Sequence, residues 1–315
     1  MWSEELEPFR AEARSIGDVV AEQLAGATPL ETVPPQISRA MRASGEGAFP
    51  APVVLEHAQE RMIGAGDSIP ARVFLPADGK INGVYFHIHG GGWVIGTRGG
   101  QDEGLDRIAN QANVAAVSIE YPLAPEDPYP AGPDACETAA TWLIENAASE
   151  FGTNKIVIGG ESAGAHLAVV TLLRLRDKHD SATAITAANL VYGCFDLTGT
   201  PSARAWNENL ILSPGNLWWF FDSYLPDRTD DERRDPDISP LYADLHGMPP
   251  ALFTVGTRDP LLDDSLFMAQ RWQAAGNRHE LAVYPDGFHA FNAFPHAMAT
   301  AANNHILEFI TKTTN

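Results

Sequence analysis

The segment Gly160-Glu161-Ser162-Ala163-Gly164 places one hydroxyl between two glycines. It lies where a β-branched run (155–158) gives way to a helix-like run (166–173). A strand that reverses this sharply into a helix needs backbone angles that a side chain obstructs, and Gly160 and Gly164 remove the obstruction. The hydroxyl of Ser162 is then lifted to the end of the strand, beside a helix N-terminus with free N–H groups. That position suits a nucleophile. A serine is weakly nucleophilic unless an imidazole takes its proton, a carboxylate orients that imidazole, and N–H donors hold the oxyanion. Because G-x-S-x-G is short enough to occur by chance, its weight comes from the strand before it and the helix after it.

A source of donors lies upstream. The run 84–88 leads into His89-Gly90-Gly91-Gly92-Trp93. Consecutive glycines at a strand end cost conformational entropy unless the backbone must come very close to something. Here that is a carbonyl oxygen turning into an oxyanion. The N–H groups of Gly91 and Gly92, with that of Ala163, are the candidate oxyanion hole. A merely flexible turn does not call for glycines flanked by His and Trp.

These motifs need a scaffold, and the chain supplies one. Short β-rich runs at 71–75, 84–88, 114–119, 156–158, 188–192, 251–255 and 281–284 alternate with helical segments near 99–112, 132–149, 163–178, 264–276 and 296–312. Such alternation predicts an α/β fold, a mostly parallel sheet with helices on both faces, binding ligands at the carboxyl ends of its strands. Residues 1–50 read as helical, broken at Thr28-Pro29 and Pro34-Pro35. Residues 200–225, rich in Trp and Phe, do not fit the rhythm and read as a lid excursion. A helix packing those aromatics into the core is the competing reading.

Composition narrows the function classes. A net charge of −20 argues against nucleic-acid binding, which needs basic patches. No apolar stretch is long enough for a membrane span, and the acidic amphipathic start lacks the features of a signal peptide. Cys136 and Cys194 lie far apart with no metal-ligand spacing, which fits a reducing cytoplasm. A cytoplasmic protein is the expectation.

His89–Trp93 and Gly160–Gly164 together resemble the hormone-sensitive-lipase-like family of α/β-hydrolases, the microbial family IV esterases. Residues 121–131, Tyr-Pro-Leu-Ala-Pro-Glu-Asp-Pro-Tyr-Pro-Ala, are similar to that family's Tyr-Arg-Leu-Ala-Pro-Glu-His-Pro-Phe-Pro-Ala segment. The likeness covers roughly residues 70–310, with the motifs in the expected order. Pro122 and Asp127 replace the family's usual Arg and His, and Glu161 replaces the usual Asp. None of these exchanges removes a catalytic group. They bear on how the loop behind the nucleophile is anchored.

The resemblance implies an α/β-hydrolase domain (51–315) and a helical cap built from 1–50 with part of 200–225. The family's Asp-Pro-Leu motif falls on Asp259, which becomes the acid, and His289 lies where the family carries its base. The chain order Ser, Asp, His is the one this fold requires. Asp263 and Asp264 are expected to face solvent or cap the next helix, and Asp286 reads as a turn residue. His89 is expected to brace the glycine loop. His166 and the remaining histidines have no motif behind them. Trp93, Phe195, Trp206, Leu210, Trp218, Trp219 and Phe288 are the candidate pocket walls.

The activity implied is hydrolysis of short- to medium-chain acyl esters, with no metal or organic cofactor and a small-molecule ester as partner. Relatives' habits imply a homodimer paired near the end of the sheet. The same machinery could act on an amide, lactone or carbamate. A hormone receptor of the gibberellin type, which keeps the serine but loses the histidine, is disfavoured by His289.

Overall fold

The seven runs join one further strand in a single eight-stranded sheet. In the computed structural model, residues 4–315 are described, so the first three residues of the expected cap segment lie outside the described residues. The strands are β1 (Gln59–Ile63), β2 (Ile69–Phe74), β3 (Gly83–Ile88), β4 (Val114–Ile119), β5 (Ile156–Glu161), β6 (Ile185–Val191), β7 (Ala251–Arg258) and β8 (His279–Phe288). Their spatial order is β1-β2-β4-β3-β5-β6-β7-β8. The β1–β2 and β2–β4 pairs are antiparallel, and every other neighbouring pair is parallel. Residues of β3, β4 and β5 are buried on both faces, which is why these strands read as unbroken apolar runs.

The helices are α1 (Arg10–Leu24), α2 (Pro35–Ser44), α3 (Asp102–Ala112), α4 (Ala131–Phe151), α5 (Ala163–His179), α6 (Pro201–Ala205), α7 (Pro214–Tyr224), α8 (Asp230–Arg233), α9 (Leu262–Ala274) and α10 (Ala297–Thr314). Alternate residues of β3 divide the core. Val84, Phe86 and Ile88 lie on the face of the sheet that α4, α5 and α9 cover, whereas Tyr85 lies on the face of α3 and α10. This is the period-two alternation of a strand.

β1 was not visible in the sequence. Only Ile63 of its five residues is buried, so it carries neither an apolar run nor an alternation. The N-terminal region folds as expected, with α1 ending before Pro29 and α2 opening on Pro35. α1 lies along β8 and α10, where Ala13 and Val20 join Tyr284, Phe288 and Met298 in a separate apolar cluster. Charged contacts hold it there. Arg10 and Arg14 reach Asp286 at 2.8 and 3.3 Å, and Arg258 reaches Asp18 at 2.7 Å.

Candidate active site

β3 and β5 are neighbours whose connections leave in opposite directions, to β4 on one side and β6 on the other. This is a topological switch point, the place where an open α/β sheet forms a crevice. Both sequence motifs sit there. The glycine loop follows β3 and Ser162 follows β5.

Ser162 has φ 56° and ψ −118°. A non-glycine residue at positive φ stores about 1–3 kcal/mol of strain, which the surroundings must hold. Here the Ser162 N–H donates to Val191 O at 2.9 Å and the His166 N–H to Ser162 O at 3.1 Å. The flanking glycines serve a purpose other than the one expected from sequence, since neither adopts positive φ. A Cβ on Gly160 would lie 2.1 Å from Ile88 O, and one on Gly164 would lie 2.0 Å from the same atom. The serine carries the unusual angle, and the glycines let the end of β3 close on the elbow.

That approach brings the glycine loop beside the hydroxyl. A Cβ on Gly90 would stand 3.6 Å from Ser162 Cβ. Gly91 and Gly92 have φ +118° and +58°, and Gly91 O accepts from Val94 N and Ile95 N in a tight turn. Among the described residues the N–H groups of Gly91 and Gly92 meet no acceptor. Ala163 opens α5, so its N–H has no partner within the helix.

The loop is braced from below. His89 stacks on Tyr121 with centroids 4.2 Å apart, and the Tyr121 hydroxyl donates to His89 O at 3.0 Å. Burial pulls the His89 pKa down to about 4. The ring is therefore neutral, and its Nδ1–H donates to Gly90 O at 2.8 Å. Glu161, the residue before the serine, accepts from His87 at 3.0 Å and from Gln101 at 2.8 Å. The other two departures from the family pattern, Pro122 and Asp127, are exposed, and neighbouring Glu126 ties this loop to Arg39 of α2.

Asp259 and His289 follow β7 and β8, which are paired. His289 Nε2 is 3.1 Å from Ser162 Oγ, and its Nδ1 is 2.9 and 3.1 Å from the two Asp259 oxygens. Asp259 is 2% and His289 5% exposed. A hydroxyl, an imidazole and a buried carboxylate stand in hydrogen-bonded line beside three N–H groups without acceptors. Such an arrangement can move a proton off the hydroxyl and hold an oxyanion.

A profile of the alpha/beta hydrolase fold matches residues 85–293. The chain is 34% identical over 275 residues to the carboxylic ester hydrolase LipN of Mycobacterium tuberculosis, covering 85% of this chain and 73% of that one. It belongs to the hormone-sensitive-lipase-like family of α/β-hydrolases. A Salmonella schwarzengrund acetyl esterase is 31% identical over 225 residues, covering 69% of this chain and 68% of that one. Among solved structures, a hormone-sensitive lipase from a metagenome library superposes with TM-score 0.83 at 27% identity, covering 96% and 98% of the two chains. The protein is a carboxylic ester hydrolase. No helix among the described residues is long and apolar enough to cross a membrane.

In this esterase several expected wall residues are core instead. Trp93 is 3% exposed, donates to His166 Nδ1 at 3.1 Å and stacks on Tyr224 at 4.7 Å. His166 in turn donates through Nε2 to Ile238 O at 2.7 Å, and burial pulls its pKa down to about 4. Phe195 and Phe288 have no exposed surface and Leu210 almost none. Phe195 packs on Phe253, Phe288 on Phe294 and against α1, and Leu210 beside Ala13 and Val20. A wall must meet solvent or ligand, and these side chains are fully packed. Trp206, Trp218 and Trp219 remain partly exposed. Sequence reasoning missed Phe220 as a support of the glycine loop: it too is buried, and its ring lies 2.2 Å from where a Cβ on Gly92 would be. Its place in a run of aromatics was the only available signal.

Asp264 is a second correction. It is fully buried rather than solvent-facing. Its Oδ1 accepts the N–H groups of Phe195 and Asp196 at 2.6 and 2.9 Å, and its Oδ2 accepts the Thr200 hydroxyl at 2.8 Å. Asp263 accepts from Ser202 N at 2.8 Å. The pair thus fastens the segment after β6 to α9. Burial pushes the Asp264 carboxyl up to about 7, while an aspartate in the unfolded chain ionises near 3.8. Stability associated with this group is present below about pH 4 and is lost as pH rises through about 7. Asp264→Asn, neutral throughout, is expected to lose that slope, so its melting temperature gains on the parent between pH 5 and pH 8. Asp264→Ala orphans three buried donors and is expected to cost about 3 kcal/mol or more in urea unfolding.

Proposed function

We propose that Ser162, Asp259 and His289 form the catalytic triad of this carboxylesterase, with Gly91, Gly92 and Ala163 as its oxyanion hole. The line from Ser162 Oγ through the imidazole to the buried Asp259 carboxylate, at 3.1 and 2.9 Å, carries the reading. His289 Nε2 takes the proton from Oγ as Oγ bonds to the ester carbonyl carbon. Asp259 fixes the tautomer with the proton on Nδ1 and stabilises the cation that forms. The carbonyl oxygen becomes an anion facing the three N–H groups. When the carbonyl re-forms, the C–O bond to the alcohol breaks and the alcohol leaves with the proton from Nε2. Water then attacks the acyl carbon, giving its proton to Nε2, and as the carbonyl re-forms the C–Oγ bond breaks, Nε2 returns the proton to Ser162 Oγ and the acid departs.

The substrates we infer are esters of short to medium acyl chains. α7 lies over the glycine loop through Phe220, and Trp206, Trp218 and Trp219 keep partly exposed aromatic surface nearby in sequence. We assign residues up to about 50, with 200–225, to a cap over the crevice, since α1 and α2 are fastened to β8 and to the loop at 121–131. A covered aromatic space suits short acyl groups better than long chains. The similarity to an acetyl esterase supports the same range.

Hydrolysis of p-nitrophenyl esters of graded chain length tests the reading. Turnover is expected to peak at acetate to hexanoate and to fall steeply by dodecanoate. A folded protein inactive on every short ester, or fastest on the longest, overturns the substrate assignment.

A further inference from the structure

The side chains assigned to the triad come from β5, β7 and β8, yet β6 lies between β5 and β7. The residue that follows β6 must therefore sit in the gap that His289 bridges to reach Ser162. That residue is Tyr192. It is 3% exposed and its φ is +36°, an angle that L side chains rarely adopt. The neighbouring strands hold it there. Its N–H donates to Thr254 O of β7 at 2.6 Å, and Val191 O accepts the Ser162 N–H at 2.9 Å.

The phenol ring stands 4.8 Å from the His289 imidazole, centroid to centroid, at an interplanar angle of 61°. Its hydroxyl donates to Asn292 Oδ1 at 2.7 Å. Asn292 then binds Asn303 of α10 through two further hydrogen bonds, Nδ2 to Asn303 Oδ1 at 3.0 Å and O from Asn303 Nδ2 at 2.9 Å. One side chain thus touches the imidazole and also secures the turn that follows it. Burial pushes the phenol well above its ordinary pKa, so the hydroxyl keeps its proton and remains a donor.

Geometry gives this contact a task. Hydrogen bonds at Nδ1 and Nε2 hold an imidazole at two points and leave one rotation free, the tilt about the line joining the nitrogens. An aromatic ring packed obliquely against the imidazole removes that tilt. The need is greatest in the acyl-enzyme, where Ser162 Oγ no longer carries a proton and Nε2 must instead aim at a water. We propose that Tyr192 is a positioning residue for His289, holding the imidazole in register through both half-reactions. The inference rests on the triad reading above.

The test compares Tyr192→Leu, Tyr192→Phe and His289→Ala on p-nitrophenyl butyrate, with melting temperatures recorded for each. Removing the ring is expected to lower kcat about 10- to 100-fold with KM within about twofold, the size of effect that follows small misplacement of a reacting group. Phenylalanine keeps the ring and is expected to restore kcat to within about threefold. The low-field proton resonance of the His289 Nδ1–H, present in the parent and in Tyr192→Phe, is expected to broaden in Tyr192→Leu. If Tyr192→Leu does not fold, Tyr192→Met takes its place. A folded Leu or Met variant with parental kcat overturns the inference, as does an equal loss in Leu and Phe. If His289→Ala itself stays active, the triad reading has failed instead.

Discussion

Ser162→Ala is expected to fold as the parent does and to hydrolyse p-nitrophenyl butyrate on the order of 10⁶-fold more slowly, the loss seen when a serine triad loses its nucleophile. The structure explains why folding should survive. The Ser162 hydroxyl has His289 Nε2 as its partner, and Ser162 is not fully buried, so the orphaned nitrogen can turn to water at little cost. Backbone strain is unchanged, since alanine at φ 56° is no better placed than serine. Glycine at this position is better placed and should raise stability by about 1 kcal/mol while abolishing activity equally. The pair therefore separates chemistry from architecture. Both variants should be inactive, and only the glycine variant should melt at a higher temperature. A Ser162→Ala protein within about tenfold of parental activity removes Ser162 from the mechanism. A Ser162→Gly protein that is less stable than the parent removes the strain argument.

Residues under chemical constraint were the legible ones. Gly91, Gly92 and Gly164 can be read because no other residue type fits where Ile95 O, the Phe220 ring and Ile88 O come this close. The buried parallel strands can be read because each needs an apolar run. β1 lacks one because it is an exposed edge. The wall residues were harder for a different reason. Phe195 and Trp206 are both apolar aromatics in the segment that follows β6, yet the first is sealed in the core and the second is partly exposed. Packing decides between them, and packing is a property of segments distant in the chain. Asp264 shows the same limit for a polar residue. Two acids opening a helix look like solvated capping groups, but the partners of Asp264 are backbone N–H groups some 68 residues earlier. Tyr192 sits in no motif, since its importance comes from the order of strands rather than the order of residues.

The Asp259→Asn variant tests the acid and should lose activity by ~10⁴-fold while keeping its fold. Asp259 Oδ1 accepts the Leu261 N–H at 2.8 Å as well as facing His289 Nδ1. In the asparagine variant the Leu261 N–H selects the amide oxygen as its partner, which turns the amide nitrogen toward the imidazole. An amide nitrogen donates, so Nδ1 must become the acceptor and the imidazole proton moves to Nε2. That proton then points at Ser162 Oγ, 3.1 Å away, and a nitrogen already carrying a proton cannot take the serine's. The hydrogen bonds are conserved in number while the base is disabled. The expected result is therefore a large fall in kcat with a melting temperature close to the parent's. Activity within about tenfold of the parent would show that another carboxylate orients His289. Asp286 is a poor substitute because its oxygens are engaged by Arg10 and Arg14, and Asp264 because its own are filled by Phe195, Asp196 and Thr200. With the oxygens of Asp286 and Asp264 committed elsewhere, the proposed triad leaves the tautomer of His289 to Asp259.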